Sequence, residues 1–312
     1  MERLRKTLLP KIVTILGPTG SGKSALALHL SKIFNGEVVI ADSRQVYKYF
    51  SIGTNKDKGV WKKVDGVNRY VVDGVIHHLI DYVDPKKTHS LYNFQTDAKI
   101  AIEDIISRGK LPIVSGGTGM YLRSLTDNWE ITEAKASGEL RKYLESKSNI
   151  ELINEIKSIS SKKIKELDIF NKRRLARVLE VFYQTGELLS KKPKSAKPEY
   201  SFLKLGVYIE REKLYEKINS RVDLMMGEGL LEEVKMLSKK YDDKIPVFSS
   251  IGYRELRAHI KGETSLDEAV ELMKRSTRRY ARKQLTWWRR EHDIKLINST
   301  DEAVNQVTSF LK

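Results

Sequence analysis

The octapeptide GPTGSGKS, residues 17–24, constrains this chain more than any other feature. It follows the β-branched run KIVTIL (11–16) and leads into SALALHLSKIF (24–34), whose apolar residues recur at helical spacing. Gly17, Gly20, Gly22, Lys23 and Ser24 fit G-x-x-x-x-G-K-[ST], with Pro18, Thr19 and Ser21 at the variable positions. The glycines let backbone N–H groups approach an oxyanion, and the helix that follows presents its positive end. Lys23 adds charge at the outer phosphates, and the Ser24 hydroxyl suits a Mg²⁺ ligand. Strand, loop and helix in this order imply an α/β fold with a P-loop NTPase-like core.

Further strands read from the sequence are EVVIADS (37–43), HHLIDYV (77–83), KLPIVSGG (110–117) and FLKLGVYIE (202–210). FQTDAKIAIEDIISRG lies between two of them as a helix closed by Gly109. Strands alternating with helices argue for a parallel sheet, with sites at the carboxyl ends of its strands. From about residue 125 glycine becomes scarce and charged helical patterns take over. NKRRLARVLEVFYQTG has Asn171 as N-cap, Leu175, Val178, Leu179 and Phe182 on one face, and Gly186 as its stop. KKPKSAKPEY (191–200) reads as an exposed connector. The expected organisation is a core from 1–124 and 199–312 carrying C-terminal basic helices, interrupted by an α-helical insertion domain at 125–198.

One part of an ordinary NTPase is missing. No clean apolar strand ends in Asp-Glu to hold Mg²⁺ and aim a water. Asp42, at the end of VVIADS, is the nearest candidate. It either supports the metal or acts as a base on a substrate, unless it merely caps the turn that follows. GGTG (116–119) offers a second backbone N–H nest at a strand end, with the Thr118 hydroxyl added. A tight turn that needs glycine is the plainer reading of that segment. His77 and His78 are adjacent on a strand and point to opposite faces, which argues against a metal pair.

The 57 lysines and arginines outnumber the 41 acids, giving a formal charge of +16. Such an excess favours a polyanionic partner. Wound at about 100° per residue, MKRSTRRYARKQLTWWRR (273–290) gathers Lys274, Arg275, Arg278, Arg279, Arg282, Lys283, Arg289 and Arg290 on one half of a helix. A continuous cationic face of this kind can neutralise successive phosphates. Trp287 and Trp288 fall on the other half and read as core anchors. The absence of cysteine excludes disulfides and thiolate zinc sites, and fits a reducing, cytoplasmic setting. No apolar run approaches the roughly 18 residues of a membrane span, and the first residues read as a buried strand rather than a signal peptide.

GPTGSGKS, ADSRQVY with IGTNK, HHLID, GGTGMYL, RRLARVLEVFYQTG, SSIGYREL and RRYARKQLTWWRR occur in the order seen in the tRNA dimethylallyltransferases, also called tRNA isopentenyltransferases. The resemblance runs from about residue 11 to 290. It implies transfer of a dimethylallyl group from dimethylallyl diphosphate to N6 of adenosine 37, in the tRNA anticodon stem-loop. The diphosphate is then a leaving group, which removes the need for a water-activating acid. By the same resemblance Asp42 is the base, and Lys23, Ser24, Thr118 and Arg221 surround the diphosphate and Mg²⁺. Ser43, Arg44 and Gln45 would touch tRNA beside Asp42 and Thr118. Arg173, Arg174, Leu175, Ala176 and Arg177 match a tRNA-contacting segment, as do Ser249, Ser250, Ile251, Gly252, Tyr253 and Arg254. The chain has Asn171-Lys172 where many members carry Asp-Pro, and it has no cysteine-bearing zinc finger. A monomer without membrane attachment is expected. The rival readings are an adenylate isopentenyltransferase acting on AMP, ADP or ATP, and an ATP-dependent small-molecule kinase with Asp42 as base.

Overall fold

The computed structural model describes residues 9–131, 138–189, 193–289, 291 and 293–312. The chain forms two units, one of Met1–Thr126 with Pro198–Lys312 and one of Asp127–Lys197.

The first unit is built on eight strands: β1 (Lys11–Leu16), β2 (Gly36–Ile40), β3 (Val60–Val64), β4 (Val67–Val72), β5 (Val75–His78), β6 (Leu111–Gly116), β7 (Ser201–Val207) and β8 (Ile294–Ile297). They lie in the order β3-β4-β5-β2-β6-β1-β7-β8. Strands β5 to β8 along this order pair in parallel, with Val13 opposite Ile113 and Lys11 opposite Ser201. The sheet is not parallel throughout, because β3, β4 and β5 form an antiparallel meander. Its turns are Asp65-Gly66 and Asp73-Gly74, all four residues at positive φ. Asp-Gly pairs favour the mirror-image turns whose twist matches the strands they join. The segment 77–83 is strand only to His78; Leu79 and Asp81 take positive φ and turn the chain away.

Helices cover both faces. α1 (Lys23–Ile33), α2 (Leu91–Ser107) and α3 (Gly119–Thr126) follow β1, β5 and β6. Along β1, Val13 and Ile15 join the cluster that contains Leu26, Ala27 and Leu30 of α1. The alternate residues Ile12 and Leu16 join Phe94, Ala98 and Leu122 of α2 and α3. This is the two-residue period of a strand buried on both sides. α2 begins with a capping box on Ser90, and Gly109, at φ 67°, ends it.

The second unit holds α4 (Gly138–Ser146), α5 (Asn149–Ile159), α6 (Ser161–Ile164) and α7 (Lys172–Thr185). Leu144, Leu152, Ile156, Leu175, Val178 and Leu179 form its core. The Asn171 side chain accepts the Arg174 N–H, and Gly186 closes α7 at φ 76°. Asn171 thus caps this helix as an aspartate there would, without a proline at the next position to preset the backbone angle. Trp129 and Ser195 pair as an antiparallel bridge at the base of the unit.

The first unit resumes with β7 and then α8 (Arg211–Gly227), α9 (Leu230–Lys240), α10 (Tyr253–Ile260), α11 (Leu266–Trp288) and the terminal α12 (Thr300–Leu311). α8 to α11 share a separate cluster in which Phe50, Phe248 and Tyr253 pack ring against ring. Among the described residues, no helix is long and apolar enough to cross a membrane.

Leu179 is fully buried in the core of the second unit. Leu179→Ala should therefore lower unfolding free energy by about 2–5 kcal/mol, read as a shifted denaturation midpoint; an unchanged midpoint would contradict this core.

Candidate active site

Three neighbouring strands, β2, β6 and β1, end at one rim of the sheet. Each runs into one of the sequence motifs: Asp42 beyond β2, the GGTG segment at the end of β6, and the phosphate loop after β1. A cleft of about 540 Å³ opens there, lined by Lys23, Ser24, Asp42, Asp57, Arg221 and Tyr280 among others. Adjacent strand ends of a parallel sheet are where such folds bind ligands.

The loop is shaped by backbone requirements. Gly20 and Gly22 take φ of 88° and 91°, a region that other residues avoid. The bend brings the chain to the first turn of α1, where Lys23 and Ser24 begin the helix. The Lys23 ammonium lies 3.3 Å from the Pro18 carbonyl. Burial pushes Lys23 down to about 8; Asp42 and Asp57 oppose the shift, and Arg221 adds to it by repulsion. Arg221 projects from α8, and burial lowers it while Asp57 offsets part of the cost. A desolvated lysine beside a desolvated arginine is a strong attractor for an anion of more than one charge.

Asp42 does two things. Its Oδ1 accepts N–H bonds from Arg44 at 2.8 Å and Gln45 at 3.2 Å, so it caps the turn after β2. The same residue lines the cleft. Arg44 is held in turn by the Pro246 carbonyl at 3.0 Å and the Ser249 hydroxyl at 3.4 Å. Ser43 and Gln45 also line the cleft, and the Gln45 amide donates to the Asn55 carbonyl at 2.8 Å.

The GGTG segment is explained by packing. A Cβ on Gly116 would stand 2.1 Å from the Ala41 carbonyl oxygen, and one on Gly119 would stand 2.6 Å from the Trp287 ring. These glycines admit β2 and α11 at close range, which gives the segment a steric requirement for glycine. The Thr118 hydroxyl is buried beside the Tyr280 phenol and is not among the residues lining the cleft.

Several expected nucleic-acid contacts are placed differently. Tyr253 is fully buried, so its ring meets Phe50 and its hydroxyl donates to Glu233 at 2.6 Å. Leu175 is fully buried in the core of the second unit, and Ala176, also buried, lines a small pocket with Arg141, Arg173 and Arg177. Arg173 is exposed, and Arg177 with Arg141 flanks the buried Glu180 at 2.8 Å each. Ser249, Ser250 and Ile251 line the cleft, as expected of contacts there, while Arg254 is exposed and Gly252 is buried. The cationic face of α11 is narrower than expected: Lys274 pairs with Asp223 at 2.8 Å, and Arg278 donates to Asn219. Arg275, Arg279, Arg282, Lys283 and Arg289 remain exposed, while Arg290 lies outside the described residues. His78 pairs with the buried Glu37 at 2.7 Å.

Three residues had no motif to announce them. Gln284 accepts the Thr19 N–H and donates to the Gly117 carbonyl, both at 2.9 Å, tying the phosphate loop to the GGTG segment. Tyr280 faces the cleft from α11. Asp57 supplies a half-buried carboxylate that lines the cleft together with Ser24. Gln284 and Tyr280 recur at helical spacing along one side of 273–290, and that spacing was the available signal.

A glycine loop at a helix N-terminus, with Lys23, Arg221 and Asp42 around one cleft, defines an α/β protein with a P-loop-like core. A family model described as IPP transferase matches residues 45–291. A tRNA dimethylallyltransferase of Acetivibrio thermocellus is 40% identical over 301 residues, spanning 94% of this chain and 93% of that one. Its counterpart in Carboxydothermus hydrogenoformans is 38% identical, spanning 96% and 95%. The crystal structure of a tRNA isopentenylpyrophosphate transferase from Bacillus halodurans superposes with TM-score 0.69 at 33% identity, covering 96% and 95% of the two chains. A eukaryotic dimethylallyltransferase crystallised acting on tRNA gives TM-score 0.76 at 32% identity, covering 94% of this chain and 75% of that one. The chain belongs to the IPP transferase family.

The depressed Lys23 sets a pH dependence. Binding of a polyanion needs the ammonium, so above pH of about 8 binding must take up a proton. Without metal, diphosphate affinity should fall as pH rises from 8 towards 10, by at most about tenfold per unit. Lys23→Met should remove that component. Calorimetry across this range checks it, and identical pH profiles for the two proteins would contradict it.

Proposed function

We propose that this protein transfers a dimethylallyl group from dimethylallyl diphosphate to N6 of adenosine 37 in the anticodon stem-loop of tRNA, releasing diphosphate. The observation that carries this reading is the arrangement of one cleft in a member of the IPP transferase family. Lys23, Ser24, Arg221 and Asp42 line the same cleft, which supports a diphosphate held by the first three beside Asp42.

The chemistry follows from the charges. The allylic C–O bond breaks as the adenine amino nitrogen bonds to the same carbon, with positive charge spread over the five-carbon unit. The departing diphosphate gains charge, which Lys23, Arg221 and the loop N–H groups are placed to neutralise. Asp42 takes the proton that leaves the alkylated nitrogen. The donor set next to the loop, a Ser24 hydroxyl and an Asp57 carboxylate, is made of hard oxygens and fits Mg²⁺. When bound, Mg²⁺ would supply further charge neutralisation at the diphosphate.

The target base has to leave its stack to reach Asp42, because the carboxylate lines a recessed cleft. Arg44 and the exposed arginines of α11 offer phosphate contacts, as do Arg173 and Arg254. The same proposal includes a monomeric enzyme acting in the cytoplasm.

Incubation with labelled dimethylallyl diphosphate and either tRNA or AMP tests the reading. Label should enter tRNA at adenosine 37; label in AMP would point to an adenylate isopentenyltransferase, and label in neither would contradict both. Asp42→Ala should reduce turnover by about a hundredfold or more, as for a lost general base, while leaving tRNA affinity largely intact. Near-normal turnover in that variant would remove Asp42 from the reaction.

A further inference from the structure

Asp57 lies in the cleft, and the transfer reaction as described gives its carboxylate no part beyond a fitting donor type. It lines the cleft together with Ser24 and stands in the field of Lys23, Arg221 and His77. Burial raises it above the usual carboxylate range, and those three cations or cation-forming groups pull the other way.

The residue is delivered by a rigid loop. The Glu233 carboxylate accepts N–H bonds from Ser51 at 3.1 Å, Ile52 at 2.9 Å and Gly53 at 3.2 Å. The Lys56 ammonium is buried and reaches the Tyr47 carbonyl at 2.7 Å and the Asp81 carboxylate at 2.5 Å. The Tyr70 hydroxyl donates to the Asp57 carbonyl at 2.9 Å and accepts the Gly59 N–H at 3.1 Å. Backbone and neighbours are therefore fixed on both sides of Asp57. Gly53 allows the approach of the supporting ring, since a Cβ there would stand 2.6 Å from Tyr253.

A carboxylate in this place works against diphosphate binding unless a cation lies between them. A carboxylate placed to accept the Ser24 hydroxyl hydrogen would leave the lone pairs of that oxygen for a cation. Outer-shell partners of this kind orient a ligand and raise its basicity. Mg²⁺ keeps several waters and needs only one or two protein oxygens when phosphate supplies the rest. We propose that Asp57 is a positioning residue for Mg²⁺ at the diphosphate site, orienting Ser24 and holding a metal-bound water. It would fill, from the segment between β2 and β3, the place of the Asp-Glu strand end that the sequence does not show. The proposal rests on the reading of the loop as a Mg²⁺–diphosphate site. The competing role is a plain counter-ion for Lys23 and Arg221.

Titration of the full-length protein with inorganic diphosphate, in excess Mg²⁺ and in EDTA, separates the two. The ratio of the two affinities measures metal dependence. Asp57→Asn should lower that ratio by about 10- to 100-fold, with affinity in EDTA unchanged or raised. Ser24→Ala should lower it as well, and the double variant should lose little more, because the two side chains act as a unit. Tighter binding by the same factor with and without Mg²⁺ would assign the counter-ion role and overturn the proposal, as would an unchanged ratio. If Asp57→Asn does not fold, Asp57→Glu carries the test: moving the carboxylate by one methylene should lower the ratio, and an unaltered ratio overturns the proposal. A wild-type protein that binds no diphosphate in either condition overturns the functional reading itself, and this inference with it.

Discussion

Lys23 and Arg221 repel each other inside one desolvated cleft, and the rest of the site follows from how that repulsion is offset. Two carboxylates, Asp42 and Asp57, supply part of the compensation within the protein. The remainder is left for a ligand. A site in this state prefers an anion with several charges on adjacent groups, because one charge cannot satisfy both cations. That preference suits a diphosphate, and it is strongest when the charge increases during bond breaking. The same electrostatics would weaken with exposure, which explains why both cations are drawn out of bulk water at an energetic cost.

Holding the cations requires close packing at the strand ends. Gly116 stands against the Ala41 carbonyl, and Gln284 bridges the phosphate loop and the GGTG segment. Glu233 gathers three successive N–H groups of the 51–53 loop and the Tyr253 hydroxyl. These contacts tie together the segments that carry the cleft residues. Preorganisation of this kind lowers the reorganisation that the transition state would otherwise demand.

The phosphate loop and Asp42 were legible in the sequence because each depends on local pattern: glycine conformers, a lysine before a hydroxyl, an acid at a strand end. The helical insertion was legible for the same reason, through the Asn171 cap, the Leu175 to Phe182 stripe and the Gly186 stop. The β3–β4–β5 meander was also available, since VDGV occurs twice, yet the exposed residues of β3 give little alternation to read. Asp57 and Glu233 were not legible. Their roles come from contacts across the fold, Asp57 with Ser24 and Glu233 with a loop about 180 residues away in sequence. In the arginine segment the apolar stripe marks Leu175 as core, whereas the family motif marks it and Ala176 as tRNA contacts, and the packing follows the stripe. Tyr253 follows the same logic: a motif position can matter because it supports a loop rather than because it touches a substrate.

The account stands on where the leaving group sits. A crystal structure with a non-reactive analogue of dimethylallyl diphosphate should show the diphosphate oxygens against the N–H groups of Gly20 to Ser24, with Lys23 and Arg221 in contact and the allylic carbon directed at Asp42. An analogue bound outside this cleft, with a nucleoside triphosphate in the loop instead, would contradict it.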